Sequence, residues 1–215
     1  RVLINGKLDK INHAHSIGGV DLTMSTVRDF LNIDLDYYVK VDYNVVIDVV
    51  DTIGGLKIDV PFLMEYKDPT AKPPLNIYIE KGLQDLDGKE AHDFLRWRKN
   101  NSLTVQYIDG DVGRIKTQQY FMTELVKQTL KFKNMFKLQE LVETYYDNVE
   151  TNIPWNIILK SVVAAKNIDT EKMVTETIPG EGKYIGSISY YIYDESKTDS
   201  LVKKMFGSVI KSALN

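Results

Sequence analysis

The chain has 215 residues, 43% hydrophobic and 27% charged, which bounds it as one globular domain able to bury one sizeable core. Its formal net charge of -3 and its pI near 5.7 argue against a surface built for non-specific nucleic-acid binding, which needs a basic face. Cysteine is absent, which removes disulfides and thiolate metal sites, and no apolar run approaches the roughly 18 residues that span a bilayer.

In chain order, "STVRDFLNI" predicts a helix capped by Ser25 or Thr26, with Val27, Phe30 and Leu31 on one face. "DYYVKVDY" alternates as a strand, and Asp36 and Asp42 on its flanks are expected to cap or pair structurally. "VVIDVVDTIGG" places Val46, Val49, Val50 and Ile53 on one helical stripe that stops at Gly54 and Gly55. "LKIDVPFLMEY" is strand-like, "DPTAKPP" is a loop, and "DGKEAHDFLRW" is a short helix running into a strand. A long helix is expected from Asp111 to about Lys131, with Ile115, Met122, Leu125, Val126 and Thr129 inside. Helices over "QELVETYYDNV" and "PWNIILKSVVAAKNI", a strand pair within "MVTETIPGEGKYIGSISYYIYD" and a terminal helix from Thr198 complete an α/β sandwich pattern.

The stretch "RWRKNNSLTVQYIDGDVGR" sets three arginines around a Gly-containing loop. A strand over "FLRWR" turns Arg96 and Arg98 to the same side, with Leu95 and Trp97 opposite. A helix starting near Val112 puts Arg114 and Gln118 on one face of its first turns, where free N–H groups and the dipole favour an anion. Planar guanidinium groups suit phosphate oxygens, since they donate paired hydrogen bonds and keep their charge. On pattern alone an anion site and a set of solvated surface arginines are equally served. No cluster has zinc-ligand spacing, and three histidines do not make one.

The motifs "KINHAHSIGG", "DYYVKVDY", "VDTIGGLKIDVP", "GLQDLDGKEA", "RWR" and "GDVGRIKTQQYF", in this order over residues 1 to 130, resemble the LytR-CpsA-Psr family of cell-wall phosphotransferases. The sequence departs from the family pattern at His15, where tyrosine is usual, at His92, where leucine is preferred, and at Val45 and Val46, which replace a Gly-aromatic pair. The resemblance implies an α/β/α sandwich with a central mixed sheet flanked by helices. It makes residues 1–215 a single catalytic domain, and places the family's membrane helix and N-terminal strands, which carry magnesium-binding aspartates, before Arg1.

The implied activity is transfer of a glycopolymer from a polyprenyl-pyrophosphate carrier onto a peptidoglycan sugar hydroxyl, with Mg2+, at the extracytoplasmic face of the cell membrane of a Gram-positive-type bacterium. In that scheme Arg96, Arg98 and Arg114 grip the pyrophosphate with Gln118 and Lys10, while Asp111 orients Arg114. A carboxylate among arginines has a lowered pKa and is a poor base, which favours orientation over proton abstraction. Asn12 and His13 fit a hydrogen-bonded turn leading into "SIGG". A lipid channel would be lined by Phe121, Met122, Leu125, Val126, Ile157, Ile158 and Val162, which without the resemblance read as core. The metal ligands are not assigned. Hydrolysis of the same pyrophosphate and simple wall-polymer binding are the alternatives. A transcriptional regulator is disfavoured by the acidic balance and by the lack of a recognisable helix-turn-helix, so no nucleic-acid partner is expected.

Overall fold

The computed structural model describes residues 1–108, 111–131, 137, 142, 149–165 and 167–207. They fall into two compact units, residues 39–175 and residues 1–38 with 176 onward.

In the first-named unit, β3 (Val39–Lys40) leads into α2 (Tyr43–Ile53), so numbered because α1 lies in the other unit. Asp42 starts α2 by accepting hydrogen bonds from the backbone N–H groups of Asn44 and Val45. Gly54 ends it at φ 84°, a left-handed conformation that releases its N–H to the carbonyls of Val50 and Asp51. The expected stripe is seen: Val50 and Ile53 are buried, with Val46 and Val49 packed beside them. β4 (Leu56–Val60) alternates strictly, with Leu56, Ile58 and Val60 inward and Lys57 and Asp59 outward. "LKIDVPFLMEY" is therefore two strands, β4 and β5 (Met64–Asp68), separated at Pro61.

Two further strands, β6 (Leu75–Ile79) and β7 (Gly82–Leu86), pair with β5 and β4 respectively, both antiparallel. α3 (Gly88–Arg96) opens on a capping box in which Asp87 accepts from the N–H of Glu90 and the Glu90 carboxylate accepts from the N–H of Asp87. Gly88 permits α2 and α3 to approach closely, because a Cβ there would lie 2.5 Å from the carbonyl oxygen of Ile47. Its N–H donates to Asp51 Oδ1 at 2.7 Å across the same contact.

α4 (Asp111–Thr129) lies along β4. The amide of Gln128 works there as a neighbouring strand would: its Oε1 accepts from Lys57 N at 3.0 Å and its Nε2 donates to Lys57 O at 2.7 Å. The hydroxyl of Tyr120 accepts from Asp59 N at 3.0 Å. These bonds satisfy backbone groups of β4 and fix α4 in place. The buried face of α4 is Phe121, Leu125 and Gln128, at i, i+4 and i+7, whereas Met122 is 47% exposed. The expected inner face is corrected accordingly: one residue along a helix turns the side chain by about 100°, so Met122 cannot share the face of Phe121. β8 (Glu150–Thr151) pairs with β3, and α5 (Trp155–Ala165) follows, with none of its residues fully buried. The helix expected over "QELVETYYDNV" lies outside the described residues apart from single positions.

In the other unit, β1 (Val2–Ile4) and β2 (Lys7–Asp9) form a hairpin, followed by α1 (His13–Leu31). α1 starts well before Ser25 and Thr26, which lie inside it rather than at a cap; Thr26 is buried. Gly18 and Gly19 leave helical geometry, Gly19 at φ 63°, so the helix is kinked there. β9 (Gly180–Ile185) and β10 (Ile188–Tyr193) are the expected strand pair. α6 (Glu195–Phe206) starts three residues before the expected Thr198, because Asp194 accepts from Lys197 N and caps it. Val2, Ile4 and Ala14 are this unit's buried cluster, with Phe30 edge-on to Tyr193.

The chain is the mixed α/β type expected. Among the described residues its strands pair in twos, all antiparallel, with helices against β1, β4, β6 and β7.

Candidate functional site

"FLRWR" is not a strand. α3 continues through Arg96, Trp97 is its extended C-cap, and Arg98 lies just beyond. The reason is the inward period: Gly88, Ala91 and Phe94 are buried at a spacing of three, which suits a helix and not the spacing of two a strand needs. Arg96 and Arg98 nevertheless line one cleft, on either side of the point where the chain turns out of the helix, and both remain exposed.

A cleft of about 480 Å³ is lined by Arg96, Arg98, Lys99, Arg114 and Gln118, together with Tyr43, Tyr66, Leu75, Leu95 and Trp97. Four cationic side chains and no carboxylate are among these residues. Gln118 joins the helices that carry Arg96 and Arg114, its Nε2 donating to the backbone oxygen of Leu95 at 3.3 Å.

Behind the lining residue Trp97 stands an aromatic cluster. Trp97 is 1% exposed, with Phe62 at 4.9 Å and Tyr107 at 5.2 Å between ring centroids. The Trp97 indole N–H donates to Asn100 Oδ1 at 3.1 Å, and the same oxygen accepts from Glu65 N at 2.8 Å. Asn100 also bonds the carbonyl of Leu63 through its amide and that of Val105 through its backbone N–H, so one buried residue ties the Arg98 segment to β5. The glycine of "DVGR" has a local cause too: a Cβ on Gly113 would sit 3.0 Å from that of Tyr107. Burial pushes the Tyr107 phenol up, while its hydrogen bond with Thr117 and the charge of Arg114 pull the other way.

His92 lies one turn before Arg96 on α3, its ring edge-on to Tyr43 at 4.8 Å. Burial holds its imidazole below the ordinary histidine range; the charge of Asp93 opposes this, and those of Arg96 and Lys89 add to it.

Of the residues expected from sequence, Arg96, Arg98, Arg114 and Gln118 are brought together. Asp111 opens α4, but its side chain is outside the described part. Lys10 belongs to the other unit, with its Nζ 5.5 Å from the centre of the Tyr190 ring. Beside it, Asp9 accepts from the backbone N–H of Lys10 and pairs with His13 Nδ1 at 3.0 Å, and the turn through Asn12 into the helix is closed by His13 N donating to Lys10 O at 2.9 Å. Phe121 and Leu125 pack in the core, Phe121 stacked on Phe94 at 5.7 Å, while Ile157, Ile158 and Val162 are half-buried on α5. Sequence reasoning missed Lys99, Asn100, Tyr43 and Tyr66. Only Lys99 had a usable signal, its place next to Arg98. Among the described residues no three His, Asp or Glu side chains gather as a metal ion would require, so these residues do not fit a magnesium site. No helix among them is long and apolar enough to cross a membrane.

Comparison with known proteins gives one consistent answer. Residues 1–207 match the model of the LytR_cpsA_psr family. The chain is 33% identical over 194 residues to the polyisoprenyl-teichoic acid–peptidoglycan teichoic acid transferase TagV of Bacillus subtilis, covering 90% of this chain and 48% of TagV. It is 29% identical to TagU of Bacillus licheniformis, a transferase of the same description, over 98% of this chain and 64% of TagU. The chain thus spans about half to two thirds of these relatives' length. The crystal structure of B. subtilis TagV superposes with a TM-score of 0.76 at 31% identity, covering 95% of this chain and 78% of that one. With the motifs, the fold and the match over nearly its full length in agreement, the chain belongs to the LytR-CpsA-Psr family.

Proposed function

We propose that the chain is the catalytic part of a phosphotransferase that moves a glycopolymer from polyprenyl pyrophosphate to a peptidoglycan sugar, at the outer face of a Gram-positive-type cell membrane. The observation that carries this reading is the cleft in which Arg96, Arg98, Lys99 and Arg114 converge without a carboxylate among the lining residues. Its family membership and the activity named for TagV and TagU support it.

In this scheme the sugar hydroxyl attacks the phosphorus that carries the glycopolymer. The new P–O bond forms as the phosphoanhydride bond breaks, polyprenyl phosphate departs, and the hydroxyl proton passes to solvent. Such a transfer asks little covalent chemistry of the protein; fixed charges placed where phosphate charge shifts supply most of the help. Arg96, Arg98 and Arg114 hold the phosphates, and Gln118 ties the helix that carries Arg114 to the one that carries Arg96. Asp111 orients Arg114. Met122, Val126, Ile157, Ile158 and Val162 serve the lipid in this reading, while Phe121 and Leu125 belong to the core behind them.

The test is a product assay with a short polyprenyl-pyrophosphate-linked saccharide and a peptidoglycan fragment, read by mass spectrometry with magnesium added or chelated. Phosphodiester-linked product is expected, falling by orders of magnitude in Arg98→Ala and Arg114→Ala, since one such contact is commonly worth about 2.7 to 4 kcal/mol. Free sugar phosphate alone would mark hydrolysis, and near-normal turnover in both variants would overturn the assignment of the cleft.

A further inference from the structure

The cleft has a second chemical character besides charge. Tyr43 lines it, is the first residue of α2 and is 51% exposed. Its ring packs against that of His92, with centroids 4.8 Å apart and an interplanar angle of 80°. The helix start that carries it is fixed by the Asp42 cap. Tyr66, half-buried on β5, lines the same cleft. A ring packed against one neighbour and still half exposed, within a cleft that Arg96 and Arg98 also line, suits a ligand that joins an anion to a ring with one apolar face.

We propose that Tyr43 forms a sugar subsite, stacking against the first pyranose ring attached to the pyrophosphate, with Tyr66 beside it. The inference rests on the reading of the arginines as phosphate ligands. A pyranose offers C–H groups to the ring face and hydroxyls to water and to the tyrosine hydroxyl, so it tolerates a half-exposed platform. A polyisoprenyl chain does not: its gain comes from leaving water, and against a ring as open as Tyr43 it would stay largely wet. The sugar end of the donor therefore faces Tyr43, which becomes a specificity residue for glycosylated carriers.

Calorimetry with two probes tests this: geranyl diphosphate, and geranyl diphosphate carrying N-acetylglucosamine. The 215-residue chain is expected to bind the sugar-bearing probe several-fold more tightly, a gain of the size an aromatic contact gives. Tyr43→Ala should abolish that preference while leaving geranyl diphosphate affinity unchanged, and Tyr43→Phe should retain most of it. Tyr43→Leu, which keeps an apolar side chain at the helix start, should behave as the alanine variant and guards against misfolding. An unchanged preference in Tyr43→Leu, or an equal loss for both probes in a folded variant, would overturn the subsite. Arg98→Ala that left geranyl diphosphate binding intact would instead overturn the phosphate reading, and the subsite with it.

Discussion

The side-chain amide of Gln118 donates to the backbone carbonyl of Leu95, so the helix that carries Arg114 is bonded to the last turn of the helix that carries Arg96. Gln118 is thus a donor toward protein as well as a residue of the cleft wall. Gln118→Ala should cost about 1 kcal/mol of stability, the usual net value of one such bond, and weaken inorganic pyrophosphate several-fold. Gln118→Glu, which cannot donate to Leu95 and sets a carboxylate among the cations, should weaken pyrophosphate more than alanine does. Titration calorimetry on both variants checks the order.

Asn100 is the polar hinge of the aromatic cluster at Trp97. In Asn100→Leu the Trp97 indole N–H and the Glu65 backbone N–H lose their shared acceptor. A buried donor left unsatisfied costs roughly 1–3 kcal/mol, so a loss of about 2–4 kcal/mol is expected, with Tm lower by roughly 5–15 °C for a chain of this size. Thermal unfolding followed by tryptophan fluorescence reads both the midpoint and the altered setting of Trp97.

His92 makes stability depend on pH in a definite direction. Its folded pKa is depressed, so on acidification the unfolded chain takes up a proton near the ordinary value of about 6.5 before the folded chain does. Stability therefore falls as pH drops through that value, until the folded imidazole also titrates. His92→Gln should lose less stability than the parent between pH 7 and pH 5, with the difference between them growing below about pH 6.5. Urea unfolding at a series of pH values checks it; parallel curves would remove His92 from the account.

Leu125 and Met122 separate packing from ligand contact on α4. Leu125→Ala should cost about 2–5 kcal/mol as a cavity in the core, whereas Met122→Ala, at an exposed site, should stay within about 0.5 kcal/mol. A Met122→Ala protein of unchanged stability that binds long polyprenyl diphosphates less tightly than short ones would mark Met122 as a lipid contact.

What could be read from sequence follows how local the deciding forces are. The Val46–Ile53 stripe and the Gly54 stop are set by residues within a turn or two and stand as read, whereas "LKIDVPFLMEY", read as one strand-like stretch, is two strands. "FLRWR" was misread because its alternation of Leu95, Arg96, Trp97 and Arg98 mimics a strand, while the deciding signal, the helical burial period of Gly88, Ala91 and Phe94, lies upstream of it. β7 escaped notice because it is largely polar, with Leu86 its one fully buried residue and its place fixed by pairing with β4. The arginines were legible as a charge pattern, since their convergence survived the change from strand to helix end. Tyr43, Tyr66 and Asn100 were not, because their roles depend on elements distant in sequence.

Gly88 touches none of the cleft residues' chemistry, yet it governs their spacing. Tyr43 rides on α2 and Arg96 on α3, and these helices are as near as they are because nothing projects from Gly88 toward Ile47. A methyl group there would force the helices apart, widening the gap between an aromatic platform and a guanidinium by the same movement. The position is a calibration point: a change in it would be read as altered ligand selectivity, and a search confined to residues that meet the ligand would never find its source.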